Sequence, residues 1–113
     1  RENQSLCKGA FIMIRHVCMF KFKDEAQGRT KAENVRITKN MLDSLPEKIE
    51  YIISSATFVG DCAQKADNCD LILISDFESL EALEKYKLHP AHVAVGDFMR
   101  PVRVSRTCID YNI

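Results

Sequence analysis

The chain has 113 residues, of which 46% are hydrophobic and 28% are charged, a composition typical of a single globular domain with one core. Sixteen Lys and Arg balance sixteen Asp and Glu, so the broad basic surface that binds nucleic acid or anionic membranes is not indicated. No apolar run approaches the roughly 18 residues of a membrane-spanning helix. We therefore predict neither a nucleic-acid nor a membrane partner.

The cysteines and the N-terminus indicate a compartment. The five cysteines occur at spacings that fit no zinc site and no CxxC redox pair: Cys7, Cys18, Cys62, Cys69 and Cys108. We expect free thiols and a cytoplasmic location, with a Cys62–Cys69 disulfide across a polar loop as the alternative. Residues 1–12 lack the apolar region of a signal peptide, so we expect a disordered or foreign leader and place the domain at 13–113.

The first predicted element is a strand. The segment "MIRHVCMFKFK", residues 13–23, alternates its side chains between two faces, with His16, Cys18 and Phe20 on the same face. The opposite face also carries apolar side chains. This alternation predicts a strand that is partly buried on both faces.

A helix and two strands follow. Thr30 and Glu33 have the spacing of a capping box ahead of an amphipathic helix that ends at Pro46. Two runs of high β-propensity, residues 51–60 and 70–77, then predict strands. We expect these two strands to pair as antiparallel neighbours.

Two short helices and a strand complete the chain. Ser79 is a suitable N-cap for the helix "LEALEKYKL". Because proline is favoured in the first helical position, His89 is suited to cap a second helix from Pro90 to about Arg100. The β-branched and aromatic content of residues 102–113 predicts a terminal strand.

The element order is β-α-β-β-α-β, which predicts a ferredoxin-like α+β fold: a four-stranded antiparallel sheet with both helices on one face. Strands that are apolar on both faces would leave a large apolar patch in water on the other side of the sheet. A homodimer that joins two such sheets is the simplest way to cover it.

Several segments carry a family resemblance. In order, they are "MIRHVCMFKFKDEA", "LDSLPEKIEYI", "DLILISDFESLEALEKYKLHPAHVAVGDFMRPV" and the closing "DY". From Met13 to Ile113 the chain resembles the stress-responsive A/B barrel (Dabb) family. The resemblance implies a dimeric α+β barrel but no single reaction, because few relatives have an assigned activity and some of these are cofactor-independent polyketide cyclases. In the cyclising relatives, the residues matching His92 and Tyr86 are the implied catalytic pair, and His16 matches the first-strand histidine.

The pattern around "HPAHV" agrees with that pairing. On a helix that begins near Pro90, His92 shares a stripe with Val95 and Met99 that faces the sheet. Imidazole suits acid–base work near neutral pH, and a phenol such as that of Tyr86 can stabilise an oxyanion. The candidate ligand-binding residues are His16, Phe20, Val95 and Met99.

Each candidate also has a structural interpretation. His92 could anchor the helix junction through a backbone carbonyl, and Tyr86 could be a packing residue. Metal binding by His89 and His92 lacks further ligands at matching spacing, so we predict no metal. Haem binding through His92 has weaker support because nothing in the sequence marks propionate-binding arginines around it. We therefore predict no cofactor.

Two functions follow from the sequence. The first is a small homodimeric barrel domain that binds a small apolar or aromatic ligand in an internal cavity. The alternative is a cofactor-independent, polyketide cyclase-like or lyase-like enzyme with His92 as acid or base. A cavity reached by both His92 and Tyr86 favours the enzyme, whereas a packed interior favours the first function.

Overall fold

The predicted element order is confirmed by a computed structural model, which describes residues 13–60 and 65–113. The helices are α1 (Lys31–Asp43), α2 (Leu45–Lys48), α3 (Leu80–Leu88) and α4 (Pro90–Met99). The strands are β1 (Ile14–Phe22), β2 (Glu25–Ala26), β3 (Arg29–Thr30), β4 (Ile52–Val59), β5 (Leu71–Phe77) and β6 (Arg103–Asn112).

The four long strands form one antiparallel sheet in the order β4-β5-β1-β6. This is the ferredoxin-like α+β architecture, and β6 is one edge of the sheet. The alternation of β1 buries Cys18, Phe20 and Phe22 in the core beneath the helices. The expected antiparallel pairing of β4 with β5 is confirmed.

The helix boundaries follow from local capping. The Thr30 hydroxyl accepts the Glu33 backbone N–H at 3.2 Å, and the Glu33 carboxylate accepts the Thr30 N–H at 2.8 Å, which completes the predicted capping box. Pro46 does more than end this helix, because it lies in the first turn of the separate short helix α2. Ser79 caps α3 as predicted, by accepting the Ala82 N–H.

The break predicted after β1 contains a small hairpin. Strands β2 and β3 pair across Gln27 and Gly28, whose φ angles are 57° and 75°. Two successive left-handed residues are the geometry of a two-residue hairpin turn, and glycine adopts it without the Cβ penalty. The turn delivers the chain to the N-terminus of α1.

The prediction of free thiols is wrong for two cysteines. Cys18 and Cys108 form a disulfide between β1 and β6, where they lie directly opposite each other in the strand register. The bridge was not predictable from spacing because the two residues are 90 positions apart and meet only through the pairing of the strands. Because Cys18 and Cys108 are not free thiols, they give no support for a reducing compartment. Cys62, one half of the alternative Cys62–Cys69 bridge, lies outside the described residues.

The sheet face opposite the helices is apolar and exposed in a single chain. Met19, Phe58, Ile109 and Tyr111 are between 39% and 62% exposed there, and we call these four residues the open sheet face. An apolar surface of this kind on a monomer indicates an interaction site. Within the described part of the chain, the helices are all too short or too polar to cross a membrane.

Replacing both Cys18 and Cys108 with alanine should lower the free energy of unfolding by about 3 kcal/mol, because the bridge closes a long loop and restricts the unfolded chain. Urea denaturation of the variant and of the oxidised wild type measures the difference. Peptide mapping of unreduced protein should recover the Cys18 and Cys108 peptides linked. Two unlinked peptides, with unfolding that is insensitive to a dithiol reductant, would contradict the bridge.

Candidate functional site

The site is built at the junction between α3 and α4, where Pro90 interrupts the helical hydrogen bonds. In a continuous helix the Lys87 carbonyl would accept the Ala91 N–H, four residues later. Here His89 caps α4, as predicted, and its Nδ1 accepts the Ala91 N–H at 3.0 Å. The Lys87 carbonyl is instead satisfied by His92, whose Nδ1 donates to it at 3.1 Å.

This hydrogen bond decides which nitrogen of His92 can accept a proton. A neutral imidazole carries one N–H, and a carbonyl can only accept, so the proton sits on Nδ1. Nε2 therefore carries the lone pair, and no other described residue hydrogen-bonds it. Burial lowers the pKa of His92 below its ordinary value. The hydrogen bond to the Lys87 carbonyl opposes that shift, and the charges of His16 and Arg106 add smaller lowering contributions. The ring is held as a neutral base.

Tyr86 lies against His92, with ring centroids 4.4 Å apart. It is 1% exposed, and its hydroxyl has no hydrogen-bond partner among the described residues. Burial raises the pKa of the phenol, and the nearby Arg106 charge opposes that shift. The group is therefore a neutral O–H donor at neutral pH. A buried donor without a partner costs about 1–3 kcal/mol, which a ligand oxygen would recover.

His16 completes a cluster of three rings on the helix side of the sheet. Its ring centroid is 6.1 Å from that of Tyr86, and its Nδ1 donates a hydrogen bond to the carboxylate of Asp110 on β6. Its Nε2 lies 3.2 Å from the Cys18 sulfur. His16, Cys18 and Cys108 are close enough to share a metal ion, but the two sulfurs are joined to each other and offer no thiolate.

A cavity of about 50 Å³ lies beside His16 and His92. The residues that line it are His16, Cys18, Phe20, Leu42, Leu73, His92, Val95, Gly96, Met99, Arg103 and Arg106. The structure therefore brings together His92 and all four candidate ligand-binding residues at one cavity. Tyr86 is not among the lining residues and packs beside His92. The volume suffices for a small number of water molecules.

Two arginines of the cavity were missed at the sequence level. Arg103, which is half-buried, and Arg106, which is exposed, contribute to its lining from β6. Nothing in the sequence around His92 marks these two arginines, because they come from the distant strand β6. A space of about 50 Å³ is nevertheless far smaller than the several hundred Å³ of a cofactor pocket, so it offers no support for haem binding.

A larger groove of about 340 Å³ lies between α1 and the end of β4. Two of its cations already have acidic partners: Lys31 contacts Asp70, and Lys39 contacts Asp43. No histidine or tyrosine is among its lining residues. The acid–base groups therefore belong to the smaller cavity.

Comparison with known proteins assigns the family. The profile of the Stress responsive A/B Barrel Domain matches residues 14–113. The chain belongs to the stress-responsive A/B barrel family. Over 102 aligned residues it is 29% identical to olivetolic acid cyclase of Cannabis sativa. The alignment covers 88% of this chain and 96% of the cyclase.

Two solved structures extend the comparison. A dimeric ferredoxin-like protein of unknown function from Bacteroides fragilis has 28% identity and a TM-score of 0.80, covering 89% of this chain and 96% of its own. The hydroxynitrile lyase of Passiflora edulis has a TM-score of 0.73 at 12% identity, covering 89% of this chain and 93% of its own. At that identity the likeness to the lyase shows the fold alone.

The environment of His92 predicts a pH dependence. Because burial lowers its pKa in the folded protein, the unfolded chain binds more protons between the folded pKa and about 6.5. Stability from this residue is therefore complete above about 6.5 and decreases as the pH falls through that interval.

NMR titration of the His92 ring should give a midpoint below about 6.5. Urea unfolding at about pH 7.5 and 5.5 should show that the free energy of unfolding falls more at the lower pH for wild type than for His92→Gln. A midpoint at or above the ordinary value, with the same decrease in unfolding free energy in both proteins, would contradict a pKa lowered by burial.

Proposed function

We propose that this protein is a cofactor-independent acid–base enzyme that acts on a small carbonyl compound, with His92 as the base and Tyr86 as the oxyanion donor. The observation that carries the proposal is the pairing of a neutral imidazole, fixed by the Lys87 carbonyl, with a buried phenol that has no partner among the described residues. The similarity to olivetolic acid cyclase supports a cyclisation of a polyketide-like substrate.

The reaction uses one proton and no external group. His92 Nε2 removes a proton from the carbon next to a substrate carbonyl, while the Tyr86 hydroxyl donates a hydrogen bond to the carbonyl oxygen as it gains negative charge. The enolate attacks a second carbonyl of the same molecule and closes a ring. The resulting alkoxide then takes the proton from His92, which returns to its neutral state.

A substrate larger than the present cavity must displace side chains at its rim. Helices α1 and α4 close the cavity with packed core residues, Leu42, Val95 and Met99, which are nearly fully buried. On the β6 side it is closed by long arginine side chains on an edge strand. Their displacement costs little packing, so substrate enters from the β6 edge.

The cavity volume favours a second candidate function. About 50 Å³ is below the several hundred Å³ of ordinary ligand sites, and Tyr86 is not among the lining residues, so the interior is closer to the packed one that favours the non-catalytic domain. In that case His92 serves as the anchor of the helix junction, and the hydrogen bond to Lys87 is its whole role.

Tyr86→Phe separates the two functions. The substitution removes a hydroxyl that has no partner, so the free energy of unfolding should stay within about 1 kcal/mol of wild type or increase. Activity should fall by about 10²-fold, because the oxyanion loses its donor. The assay is deuterium uptake at the carbon next to the carbonyl, across a panel of aryl ketones and polyketide-like diketones.

His92→Gln is the companion variant, because the glutamine amide can still donate to the Lys87 carbonyl. The variant should remain folded and lose deuterium exchange by about 10²-fold or more. Leu88→Gln, at an exposed position of α3, is the control and should exchange at the wild-type rate. Wild-type protein that binds a compound of the panel without promoting exchange, with an affinity that His92→Gln leaves unchanged, would support the binding function instead.

The open sheet face supports a homodimer for this chain, in line with the dimeric Bacteroides fragilis relative. Light scattering should give twice the chain mass of 12.9 kDa. Ile109→Glu should produce monomers, because it places a charge on the apolar open sheet face. The control, Leu88→Glu, changes a leucine that is 79% exposed on the helix side and should stay dimeric. A monomeric wild type would contradict the assembly.

A further inference from the structure

The strongest feature that the proposed reaction does not use is the pair of arginines at the cavity rim. Arg106 lies opposite Phe20 and Arg103 opposite Phe22 in the register of β6 with β1. Phe20 and Phe22 belong to the core on the helix side of the sheet, and both arginines line the cavity with His16 and His92. The two cations therefore face the proposed reaction site.

A strand irregularity puts them on the same side. Residues three positions apart on a regular strand point to opposite faces of the sheet. The register of β1 with β6 shifts between Lys21 and Phe22, so that β6 gains one extra residue there. Bulges of this kind re-aim a side chain and occur often beside active sites. Here the bulge turns Arg103 to the side that Arg106 already occupies.

The two guanidinium groups lack an acidic partner. Arg15 is paired with Asp76 and Arg100 with Asp97, but neither Arg103 nor Arg106 forms an ion pair within residues 13–60 and 65–113. The carboxylate on the same strand, Asp110, is engaged by His16. Burial and the charges of Arg106 and Arg100 lower the pKa of Arg103, as expected where cations gather without compensation.

We propose that Arg103 and Arg106 bind a carboxylate of the substrate, which is therefore a small carbonyl compound with an acid group at one end. Guanidinium groups present planar N–H pairs that match the two oxygens of a carboxylate. An anion held at the rim stays partly in solvent and avoids the cost of entering an apolar interior. The carbonyl end then reaches inward to His92 and Tyr86. This assignment rests on the proposed function for the role of the inner end.

Dimerisation leaves this rim accessible. Arg103 and Arg106 lie on the helix side of the sheet, whereas the open sheet face lies on the other side. The rim is therefore available to ligand in a dimer that is joined through the open sheet face.

The test compares 4-hydroxybenzoate with 4-hydroxybenzamide, which have nearly the same shape and differ in charge. Calorimetric titration of the full chain should show the benzoate binding about 10-fold more tightly. Arg106→Gln and Arg103→Gln should each abolish that preference and leave the affinity for the benzamide unchanged. Arg106→Lys should keep part of the preference for the benzoate, because the positive charge remains but the planar pair of N–H donors is lost. Arg100→Gln, which removes a neighbouring charge that is already paired, should keep the preference.

Equal affinities for the two ligands in wild type, or no detectable binding of the benzoate, would overturn the proposal. If inorganic phosphate binds as tightly as the benzoate and loses that binding in Arg106→Gln, the result would overturn the carboxylate assignment in favour of a phosphate group on the substrate. His92→Gln tells failure of this assignment from failure of the proposed reaction. If wild type prefers the benzoate but His92→Gln exchanges deuterium at the wild-type rate, only the reaction is wrong. If wild type shows no preference for the benzoate but His92→Gln loses deuterium exchange, only the carboxylate assignment is wrong.

Discussion

The hydrogen bond from His92 to the Lys87 carbonyl is the interaction on which the site depends. Pro90 removes a backbone donor and separates α3 from α4, and the cap by His89 occupies the N–H that would otherwise satisfy Lys87. The orphan carbonyl then takes its donor from the His92 ring. One contact thus fixes the angle of the ring, its tautomer and the accepting nitrogen. The structural role and the chemical role of His92 are therefore compatible.

The sheet supplies the remaining groups through the pairing of β1 with β6. This register puts His16 opposite Asp110 and joins Cys18 to Cys108, so the floor of the cavity is crosslinked and its histidine is oriented. The bulge in β6 adds Arg103 to the same face. An edge strand that carries long cations closes the cavity loosely, whereas the helix side is packed. Strand β6 therefore determines both the route of substrate into the cavity and the positive charge at its rim.

Local sequence signals predicted the parts of the site that depend on neighbouring residues. The alternation of β1 identified the face of His16 and Phe20, and the proline after His89 marked the start of α4. The helical stripe of His92, Val95 and Met99 placed three lining residues together. The position of Tyr86 shortly before His92, across the proline break, indicated it as a candidate, and the family resemblance supported that pairing. The structure adds that its hydroxyl is buried without a partner among the described residues.

The contributions of β6 could not be read from the sequence in the same way. Cys108, Asp110 and the two arginines are about 90 residues from β1, and only the pairing register decides which of them face the cavity. Regular alternation would even have assigned Arg103 and Arg106 to opposite faces. A single-residue bulge in the pairing of β1 with β6 reverses that assignment.

The most direct test of this account is the tautomer of His92. Nitrogen-15 NMR of the imidazole at about pH 7.5, above the ordinary histidine pKa, distinguishes a protonated ring nitrogen from one with a free lone pair. The hydrogen bond to the Lys87 carbonyl requires a proton on Nδ1 and a lone pair on Nε2. A proton on Nε2, or a ring that stays doubly protonated at this pH, would show that His92 is not held as a base.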